Sequence, residues 1–399
     1  MTYNVYQHWD PLRVCAVGKS YPPEFYSFIT NSRVRSVMER IAIETEEDYQ
    51  KLIKLLESFN VEIVRPQVSD NHEDYVNAEG KIQPPPMTPR DYSIMLGNDF
   101  YFRCTSLLVI VQNKWHILRG SSWPQDPPKN ENELVALPAF IKDEIEQFTG
   151  INISNNKCFD EFTNSIDTFT WGPMIDHIKE HASVYNLVPW YLHSFNSAES
   201  TRVGKDIYLG THTYGQDLSL NIAELHKDFP QYRWHKVDTG GHSDGTFCPV
   251  KPGLIVSLRD VPTYADTFPG WEVIYLPGQS WSKVKPFLDL KEKNQGKWWV
   301  PGEELNDDFT KFVESWLDHW VGYVEETVFD VNMLVIDEKN VVCNNYNEQV
   351  FEAFSRHGIT PHIVNFRHRY FWDGGLHCIT SDLHREGTQK DYFPERGLT

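Results

Sequence analysis

Short apolar runs alternate with amphipathic helical stretches along the chain. Near the start, the apolar run Val14–Val17 predicts a strand, Thr45–Phe59 has apolar residues at helical spacing, and Val61–Val64 predicts a second strand. Thr45 is the expected N-cap of the helix, because the acidic residues 46–48 would then lie in its first turn. The predicted order in this first unit is strand, helix, strand.

The same alternation recurs farther along, and strands that alternate with helices favour an α/β fold. The range 283–306 is charged and contains glycine and proline, so we expect it to be a peripheral insertion. No linker is long enough to divide the chain, and we expect a single domain over residues 1–399. The other predicted strands are Ser93–Leu96, Asp206–Leu209, Trp234–Val237, Leu254–Ser257, Met333–Ile336, Val341–Val342 and Ile363–Val364, and the other predicted helices are Gln216–Phe229 and Glu348–His357, the latter capped by Gly358.

Composition narrows the function classes. Hydrophobic residues make up 40% of the chain, which is ample for a buried core, and the formal net charge is -19. Such a negative surface repels phosphate backbones and anionic lipids, so we expect neither nucleic acid nor a membrane as a partner. The chain has no apolar run long enough to span a membrane and no secretory signal pattern. Six scattered cysteines without a Cys-x-x-Cys pair predict a reduced, cytoplasmic-type protein.

Cys378 is the first candidate for chemistry, because it follows the glycine pair Gly374-Gly375. Two glycines permit a close backbone approach and are expected to bring amide N–H groups beside the sulfur. Such donors lower the pKa of a thiol, and the thiolate is the nucleophilic form. The alternative is an inert buried cysteine beside a glycine turn.

Three further segments carry candidate groups. His242, between glycines and Asp244, can serve as an acid/base in a polar turn, or it is a surface histidine. Asp91 by itself reads as an Asx-type turn residue before a strand, and Glu199 as a solvated loop charge. A zinc site built from His242, His377 and Cys378 is disfavoured, because their spacing does not suit zinc ligands.

Taken together and in order, these segments resemble motifs of the arginine:glycine amidinotransferase family. The matches keep the family's order and span roughly residues 8–390, whereas residues 100–186 match poorly. The matching segments are Trp9-Asp-Pro-Leu12, Pro89-Arg-Asp91, Phe195-Asn-Ser-Ala-Glu199, His242-Ser-Asp-Gly-Thr-Phe247, Asn332-Met-Leu-Val-Ile-Asp-Glu338 and Asp373-Gly-Gly-Leu-His-Cys-Ile-Thr-Ser-Asp-Leu-His-Arg-Glu-Gly387.

The resemblance implies the pentein fold, in which ββαβ-type modules surround a pseudo-fivefold axis with the active site in the central channel. It also implies roles: Cys378 as the nucleophile, His242 as the acid/base and Glu199 as the group that orients this histidine. Asp91 and Asp244 would hold the substrate guanidinium. The implied reaction moves an amidino group from arginine, or a related guanidino donor, to a primary amine through a covalent amidino-cysteine.

The implied reaction needs no cofactor and no metal, and its partners are a small guanidino donor and an amine acceptor. A homodimer is left open. Two other functions are also left open. One is a hydrolase of the same fold, in which water attacks the amidino-cysteine as in deiminases and dihydrolases. The other is a catalytically inactive pentein that serves as a binding module, against which the complete set of candidate residues argues.

The sequence departs from the family where the substrate tail is held. The family arginine that binds the substrate carboxylate falls at Val261 here, and Arg259 is the nearest substitute. The family serines that assist it fall near Glu325 and Glu326. These replacements predict a substrate whose tail is cationic or lacks a carboxylate, with Arg259, Glu325 and Glu326 as candidate contacts. The alternative is that Arg367 or Arg369 reaches in from a neighbouring loop and restores the carboxylate clamp.

Overall fold

The computed structural model describes residues 2–76, 80–102, 122–124, 128, 131–149, 166–187, 196–211, 222–239, 242–258, 264–276, 300–303, 305–317, 331–372 and 374–397. In this part of the chain, fifteen strands form five three-stranded sheets. The strands are β1 (Leu12–Val17), β2 (Glu62–Val64), β3 (Ser93–Leu96), β4 (Asp99–Phe102), β5 (Val184–Leu187), β6 (Ser200–Val203), β7 (Asp206–Thr211), β8 (Arg233–Asp238), β9 (Phe247–Lys251), β10 (Leu254–Ser257), β11 (Glu272–Tyr275), β12 (Leu334–Asp337), β13 (Asn340–Cys343), β14 (Thr360–Ile363) and β15 (Thr380–Arg385).

Helices occupy the connections between the second and third strands of the sheets, with shorter turns elsewhere. None of the described helices is long and apolar enough to cross a membrane. The α-helices are α1 (Ser32–Ser58), α2 (Pro89–Tyr92), α3 (Glu131–Val135), α4 (Ala139–Thr149), α5 (Ile166–Lys179), α6 (Ile222–Asp228), α7 (Tyr264–Thr267), α8 (Asp307–Phe312), α9 (Glu348–Arg356) and α10 (Arg369–Trp372). Single 3-10 turns lie at Pro23–Phe28, His72–Tyr75, Ser243–Gly245 and Pro394–Arg396, and a π-helical turn follows α8 at Val313–Leu317.

Every sheet repeats one connection pattern. In the sheet of β3, β4 and β5, the first two strands form an antiparallel hairpin, with Ile94 opposite Tyr101. The chain then crosses over through helices, and β5 returns parallel to β4, with Phe100 opposite Tyr185. Hairpins need only a short turn, whereas parallel strands need a long crossover, which the helices supply. The unit is therefore a ββαβ module.

The two ends of the chain together complete the remaining module. β15 pairs antiparallel with β1, with Ser381 opposite Ala16, and β1 pairs parallel with β2 after the crossover through α1. The N-terminal strand thus serves as the second strand of a hairpin whose first strand comes from the far end of the chain. With this closure, the described residues form five ββαβ modules, which confirms the expected α/β class and the pentein fold.

The first long helix begins earlier than the sequence predicts. α1 starts at Ser32, and the side chain of Asn31 accepts hydrogen bonds from the backbone N–H groups of Arg33 and Val34 at 3.0 and 3.3 Å. The predicted start at Thr45 is wrong. The hydroxyl of Thr45 is buried in the middle of the helix and accepts a hydrogen bond from Trp372 Nε1 at 2.8 Å, so a tertiary contact explains this threonine.

The apolar face of α1 packs into a core that also holds the loop carrying Cys378. Tyr49, Leu52 and Leu56 of the helix are fully buried in this core, together with Leu376 and Ile379 on either side of the cysteine. Burying one such side chain stabilises the fold by roughly 1.5–3 kcal/mol. The core therefore fixes the backbone on both flanks of the candidate nucleophile.

The other predicted elements are largely present. The predicted helix Glu348–His357 is confirmed as α9, which the side chain of Asn347 caps by accepting from Val350 N at 3.1 Å. Gly358 follows it with a φ of 67°, a left-handed conformation that glycine adopts without strain. Of the predicted helix Gln216–Phe229, residues 212–221 lie outside the described part. Most of the predicted insertion at 283–306 lies outside it as well.

Candidate active site

Four of the candidate residues, together with Asn332, occupy equivalent places in the five modules. Each lies one to three residues before the first strand of its module, in the segment that connects this module to the preceding one. The residues and the strands they precede are Asp91 before β3, Glu199 before β6, Asp244 before β9, Asn332 before β12 and Cys378 before β15. Each of the five modules therefore carries one of these residues just before its first strand.

The sulfur of Cys378 is held by a side chain from the neighbouring module. Cys378 is only 2% exposed, and Asn332 Nδ2 donates to its Sγ at 3.0 Å. Asn332 Oδ1 accepts from the backbone N–H groups of His377 and Cys378 at 2.8 and 3.2 Å. The glycine pair was expected to bring backbone donors to the sulfur, but these two N–H groups bind the Asn332 oxygen instead. A donor that does reach the sulfur is the side-chain amide of Asn332.

Gly375 makes room for this amide. A Cβ atom at position 375 would lie 2.5 Å from Asn332 Oδ1 and 2.8 Å from its Cγ. Such contacts are far shorter than carbon atoms tolerate, so any larger residue would displace Asn332. The glycine is required because a neighbouring side chain, and not only a ligand, approaches the backbone closely.

Asp244 lies beside the thiol on the 3-10 turn Ser243–Gly245. Its Oδ2 is 3.6 Å from Cys378 Sγ and 2.8 Å from His377 Nδ1. Burial, reinforced by the guanidinium of Arg90, holds the pKa of His377 well below its usual value. The imidazole is therefore neutral near pH 7, and its Nδ1–H donates to the carboxylate. His377 thus orients the Asp244 carboxylate toward the cysteine.

His242 and Glu199 form the second candidate pair. His242 Nε2 lies 3.8 Å from Glu199 Oε1, and Glu199 is buried while His242 is about one-quarter exposed. The two segments are tied together by Ala198, whose carbonyl oxygen accepts from Asp244 N at 3.2 Å and from Ser243 Oγ at 2.9 Å. The separation of 3.8 Å exceeds that of a strong hydrogen bond, and catalytic contacts commonly tighten only when substrate binds.

Asp91 is held next to the nucleophile loop through its neighbour Arg90. The buried Arg90 Nε donates to the carbonyl oxygens of His377 and Thr380, each at 2.8 Å. The backbone N–H of Ser197 donates to Arg90 O at 3.1 Å, which joins this turn to the Glu199 segment. Asp91 lies in the one-turn helix α2 and not in the Asx-type turn that its local sequence suggests.

Beneath the site, three arginines surround one buried carboxylate. Arg202 donates to both oxygens of Asp382, at 2.7 and 2.9 Å, while Arg90 and Arg385 donate at 3.1 and 2.8 Å. Burial acts to raise the pKa of Asp382, but the three guanidinium groups hold it well below its usual value. The ionised carboxylate therefore links segments that precede or form β3, β6 and β15 under the candidate residues.

Sequence reasoning assigned no role to Asn332, His377 or Arg90, although each lies inside a quoted motif. Arg259, Glu325 and Glu326 lie outside the described residues, so their proposed contacts stay predictions. Arg367, suggested as a substitute clamp, donates its Nε to both oxygens of Asp48 on α1 at 3.0 Å.

The other suggested substitute, Arg369, is bound by residues that lie close to it in the sequence. Its Nη1 donates to Asn365 Oδ1 and to Phe366 O, both at 3.0 Å. Both suggested arginines are thus anchored by contacts within the protein.

Comparisons with known proteins agree with this architecture. No protein-family model matches the chain. The mitochondrial glycine amidinotransferase of Xenopus tropicalis is 22% identical over 437 aligned positions, covering 97% of this chain and 84% of the relative. The L-arginine:L-lysine amidinotransferase of Pseudomonas savastanoi pv. phaseolicola is 24% identical over 205 positions, covering 50% of this chain and 47% of that protein.

Two solved structures have the same fold. An amidinotransferase of the saxitoxin biosynthetic pathway from Microseira wollei superposes with a TM-score of 0.60 at 16% identity, covering 98% of this chain and 99% of the other. The inosamine-phosphate amidinotransferase of Streptomyces griseus superposes with a TM-score of 0.58 at 15% identity, with the same coverage. The chain is thus similar to an amidinotransferase along almost its whole length, and it shares the fold of two solved amidinotransferases.

Proposed function

We propose that the protein is an amidinotransferase that moves an amidino group from arginine, or a related guanidino donor, to a primary amine. The observation that carries the proposal is the setting of Cys378 Sγ, which lies 3.0 Å from the Asn332 amide and 3.6 Å from the Asp244 carboxylate. A thiol beside a hydrogen-bond donor and a carboxylate suits attack on a cationic, planar group. The names of the whole-length relatives support the same reaction class.

Asp91 and Asp244 are proposed to hold the donor guanidinium. A guanidinium is planar, permanently charged and a poor electrophile, and a carboxylate binds it with two parallel hydrogen bonds. Asp244 beside the sulfur would keep the guanidinium carbon within reach of the thiolate. The bound cation would also favour the thiolate over the thiol, because opposite charges at short distance stabilise the ionised form.

The first half-reaction forms a covalent intermediate. The thiolate of Cys378 attacks the guanidinium carbon, and a tetrahedral species forms. The bond from this carbon to the donor's substituted nitrogen then breaks, and protonated His242 gives its proton to the leaving amine. The products are the free amine and an amidino group bound to sulfur. Glu199, 3.8 Å from His242 Nε2, is proposed to orient the imidazole.

The second half-reaction reverses these steps with a new amine. The acceptor amine binds in place of the departed one, loses a proton to His242 and attacks the amidino carbon. The bond from carbon to sulfur breaks, and Cys378 returns to the thiolate. The cycle uses no cofactor, because the cysteine carries the transferred group.

The proposal also covers the domain organisation and the contacts to the substrate tail. We propose that residues 1–399 act as one domain, supported by the pairing of β15 with β1 from the two ends of the chain. Arg259, Glu325 and Glu326 are proposed to contact the substrate tail. The Xenopus tropicalis relative is named as mitochondrial, so a cytoplasmic location for this protein stays a prediction.

Product analysis with labelled arginine and a panel of primary amines tests the proposal. Transfer yields ornithine and an amidinated acceptor, without citrulline or urea. Ornithine with urea, or citrulline with ammonia, would instead assign a hydrolase function. Urea forms when water replaces the amine acceptor at the amidino-cysteine, whereas citrulline forms when ammonia leaves first and water then attacks the carbon that still carries the ornithine nitrogen. Tight binding of the guanidino compound without any product would assign the binding module and exclude both reactions.

A further inference from the structure

The orientation of the Asn332 side-chain amide is fixed by its backbone partners. The N–H groups of His377 and Cys378 can only donate, and both point at one end of the amide, at 2.8 and 3.2 Å. That end must therefore be the oxygen. The other end is the NH₂ group, and it lies 3.0 Å from Cys378 Sγ. Asn332 is buried, so this contact is protected from competition with water.

We propose that Asn332 is a positioning residue for Cys378, whose side-chain amide aims the sulfur and stabilises the attacking thiolate. This inference rests on the proposed function in one respect only, namely that Cys378 is the nucleophile. Asn332 makes no proposed contact with the reacting atoms of the substrate. It acts on the reaction through the cysteine alone.

The electrostatic reason is the carboxylate on the other side of the sulfur. Asp244 Oδ2 lies 3.6 Å from Sγ, and a nearby negative charge disfavours ionisation of the thiol. A hydrogen bond to the charged form has the opposite effect. Before the donor binds, the Asn332 N–H group therefore offsets the carboxylate. The same amide joins the nucleophile loop to the segment before β12, which keeps the sulfur in one position.

The Asn332→Asp variant separates the two functions of the amide. Aspartate has nearly the same shape and still offers an oxygen to the two backbone N–H groups, so the structural contact is kept. The group facing the sulfur becomes a second carboxylate oxygen instead of an N–H donor. Asn332→Ala removes both contacts. Gly375→Ala leaves Asn332 in the sequence but displaces it, because the new Cβ would lie 2.5 Å from Asn332 Oδ1.

The matched control is Asn344→Asp. Asn344 is also buried, and its Nδ2 donates to the backbone oxygen of Asn332 at 3.4 Å. This variant adds the same charge in the same region without replacing the donor at the sulfur. It therefore reports the general effect of a new buried carboxylate.

The measurement is the pH dependence of Cys378 alkylation by iodoacetamide in the substrate-free protein. Modified peptides are quantified by mass spectrometry, so that Cys378 is followed separately from the other thiols. Two of these are poor competitors, because burial raises the pKa of Cys15 and of Cys248 to about 12. Thermal unfolding confirms that each variant is folded.

We expect the alkylation midpoint of Asn332→Ala to rise by about one to two pH units, the worth of a hydrogen bond to a charged group. Asn332→Asp should raise the alkylation midpoint at least as far, and Gly375→Ala should shift it in the same direction. The control Asn344→Asp should shift the midpoint by less than about half a unit. An unchanged midpoint in Asn332→Asp would overturn the inference. Equal shifts in Asn332→Asp and Asn344→Asp would also overturn it, because the effect would then be a general one of charge.

The proposed function and the proposed role of Asn332 can be refuted independently of each other. Alkylation needs neither donor nor acceptor, so it reports on Asn332 even if the native protein transfers no amidino group. Absence of transfer would overturn the proposed function alone. An unchanged alkylation midpoint in an active enzyme would overturn the role of Asn332 alone.

Discussion

His377 and Asp244 form a buried pair in which the imidazole Nδ1 lies 2.8 Å from the carboxylate Oδ2. The same carboxylate oxygen is 3.6 Å from Cys378 Sγ, so the residue next to the cysteine in sequence orients the acid beside it in space. Because burial holds the pKa of His377 well below its usual value, the ring stays a neutral donor at neutral pH. His377 is thus a support for Asp244 and not a second acid/base.

Removal of this donor should weaken the reaction without abolishing it. We expect His377→Leu to lower kcat/KM by about tenfold to a hundredfold, since a hydrogen bond to a charged group is worth about 1.5–3 kcal/mol. His377→Asn should restore most of the rate, because its amide N–H can occupy the place of Nδ1–H. Steady-state kinetics of both variants checks this. Equal rates for the leucine and asparagine variants would contradict the supporting role.

Cys378→Ala should abolish turnover while the fold is kept. If the amidino-cysteine is obligatory, we expect a loss of more than about 10³-fold in kcat. Cys15→Ala is the matched control: this cysteine is also buried, it lies in β1 outside the candidate segments, and its variant should remain active. Intact-mass analysis of the native protein with donor alone should detect the amidino adduct. A near-normal rate for Cys378→Ala would refute the covalent mechanism.

The sequence predicted the alternation of elements well, because strand and helix periodicities are local properties. It predicted the start of α1 poorly: Thr45, followed by acidic residues, has the local signature of an N-cap, yet its hydroxyl bonds to Trp372 in the folded protein. The role of Asn332 could not be predicted from the sequence either. This residue is 46 positions from Cys378, and its amide reaches the sulfur only in the folded protein, from the neighbouring module.

The buried cluster around Asp382 should dominate stability. Asp382→Asn leaves Arg90, Arg202 and Arg385 without their shared carboxylate, and breaking a buried charge pair costs about 3–5 kcal/mol. As a control, Glu272→Gln removes the partner of an exposed arginine, Arg356, and should cost less than about 1 kcal/mol. Urea unfolding of both variants at pH 7 measures the difference. Similar losses of unfolding free energy in the two variants would show that the Asp382 cluster contributes no more to stability than an exposed ion pair.

Buried histidines should make stability depend on pH. His8 Nε2 accepts from the backbone N–H of Arg202 at 3.2 Å, and burial, with the positive charge of Arg202, holds the pKa of His8 well below its usual value. The unfolded chain, with a histidine pKa of about 6.5, then binds more protons than the folded one. Stability is therefore full above about pH 6.5 and falls below it, by up to about 1.4 kcal/mol per pH unit for each such histidine.

Urea unfolding between pH 7.5 and 5 checks this dependence. His8→Gln keeps an acceptor for the Arg202 N–H group but cannot be protonated, so its stability should fall less steeply below pH 6.5 than that of the native protein. Parallel slopes for the two proteins would mean that His8 is not held neutral. The comparison is independent of catalysis, because His8 makes no proposed contact with substrate.

We expect the donor specificity to follow from the acidic and apolar replacements at the expected carboxylate clamp. Val261 stands where the family has an arginine, and Glu325 and Glu326 stand near its serines. A charge-assisted clamp contributes about 1.5–3 kcal/mol per hydrogen bond, so its loss should weaken arginine as a donor by about tenfold or more. A donor such as agmatine, which lacks the carboxylate, would suffer no such loss. An acidic pair near the tail would also favour a diamine over glycine as the acceptor.

Steady-state comparison of arginine with agmatine, at a fixed concentration of acceptor, decides the point. We expect kcat/KM for agmatine to equal or exceed that for arginine, and Glu325→Gln or Glu326→Gln to reduce any preference for a cationic tail. Arg259→Ala is the informative counterpart, since it should lower the rate with arginine alone if Arg259 substitutes for the missing clamp. Arg367 is bound to Asp48 on α1 and is a poor substitute. A hundredfold preference for arginine would mean that the clamp is rebuilt, and its loss in Arg259→Ala would identify the residue responsible.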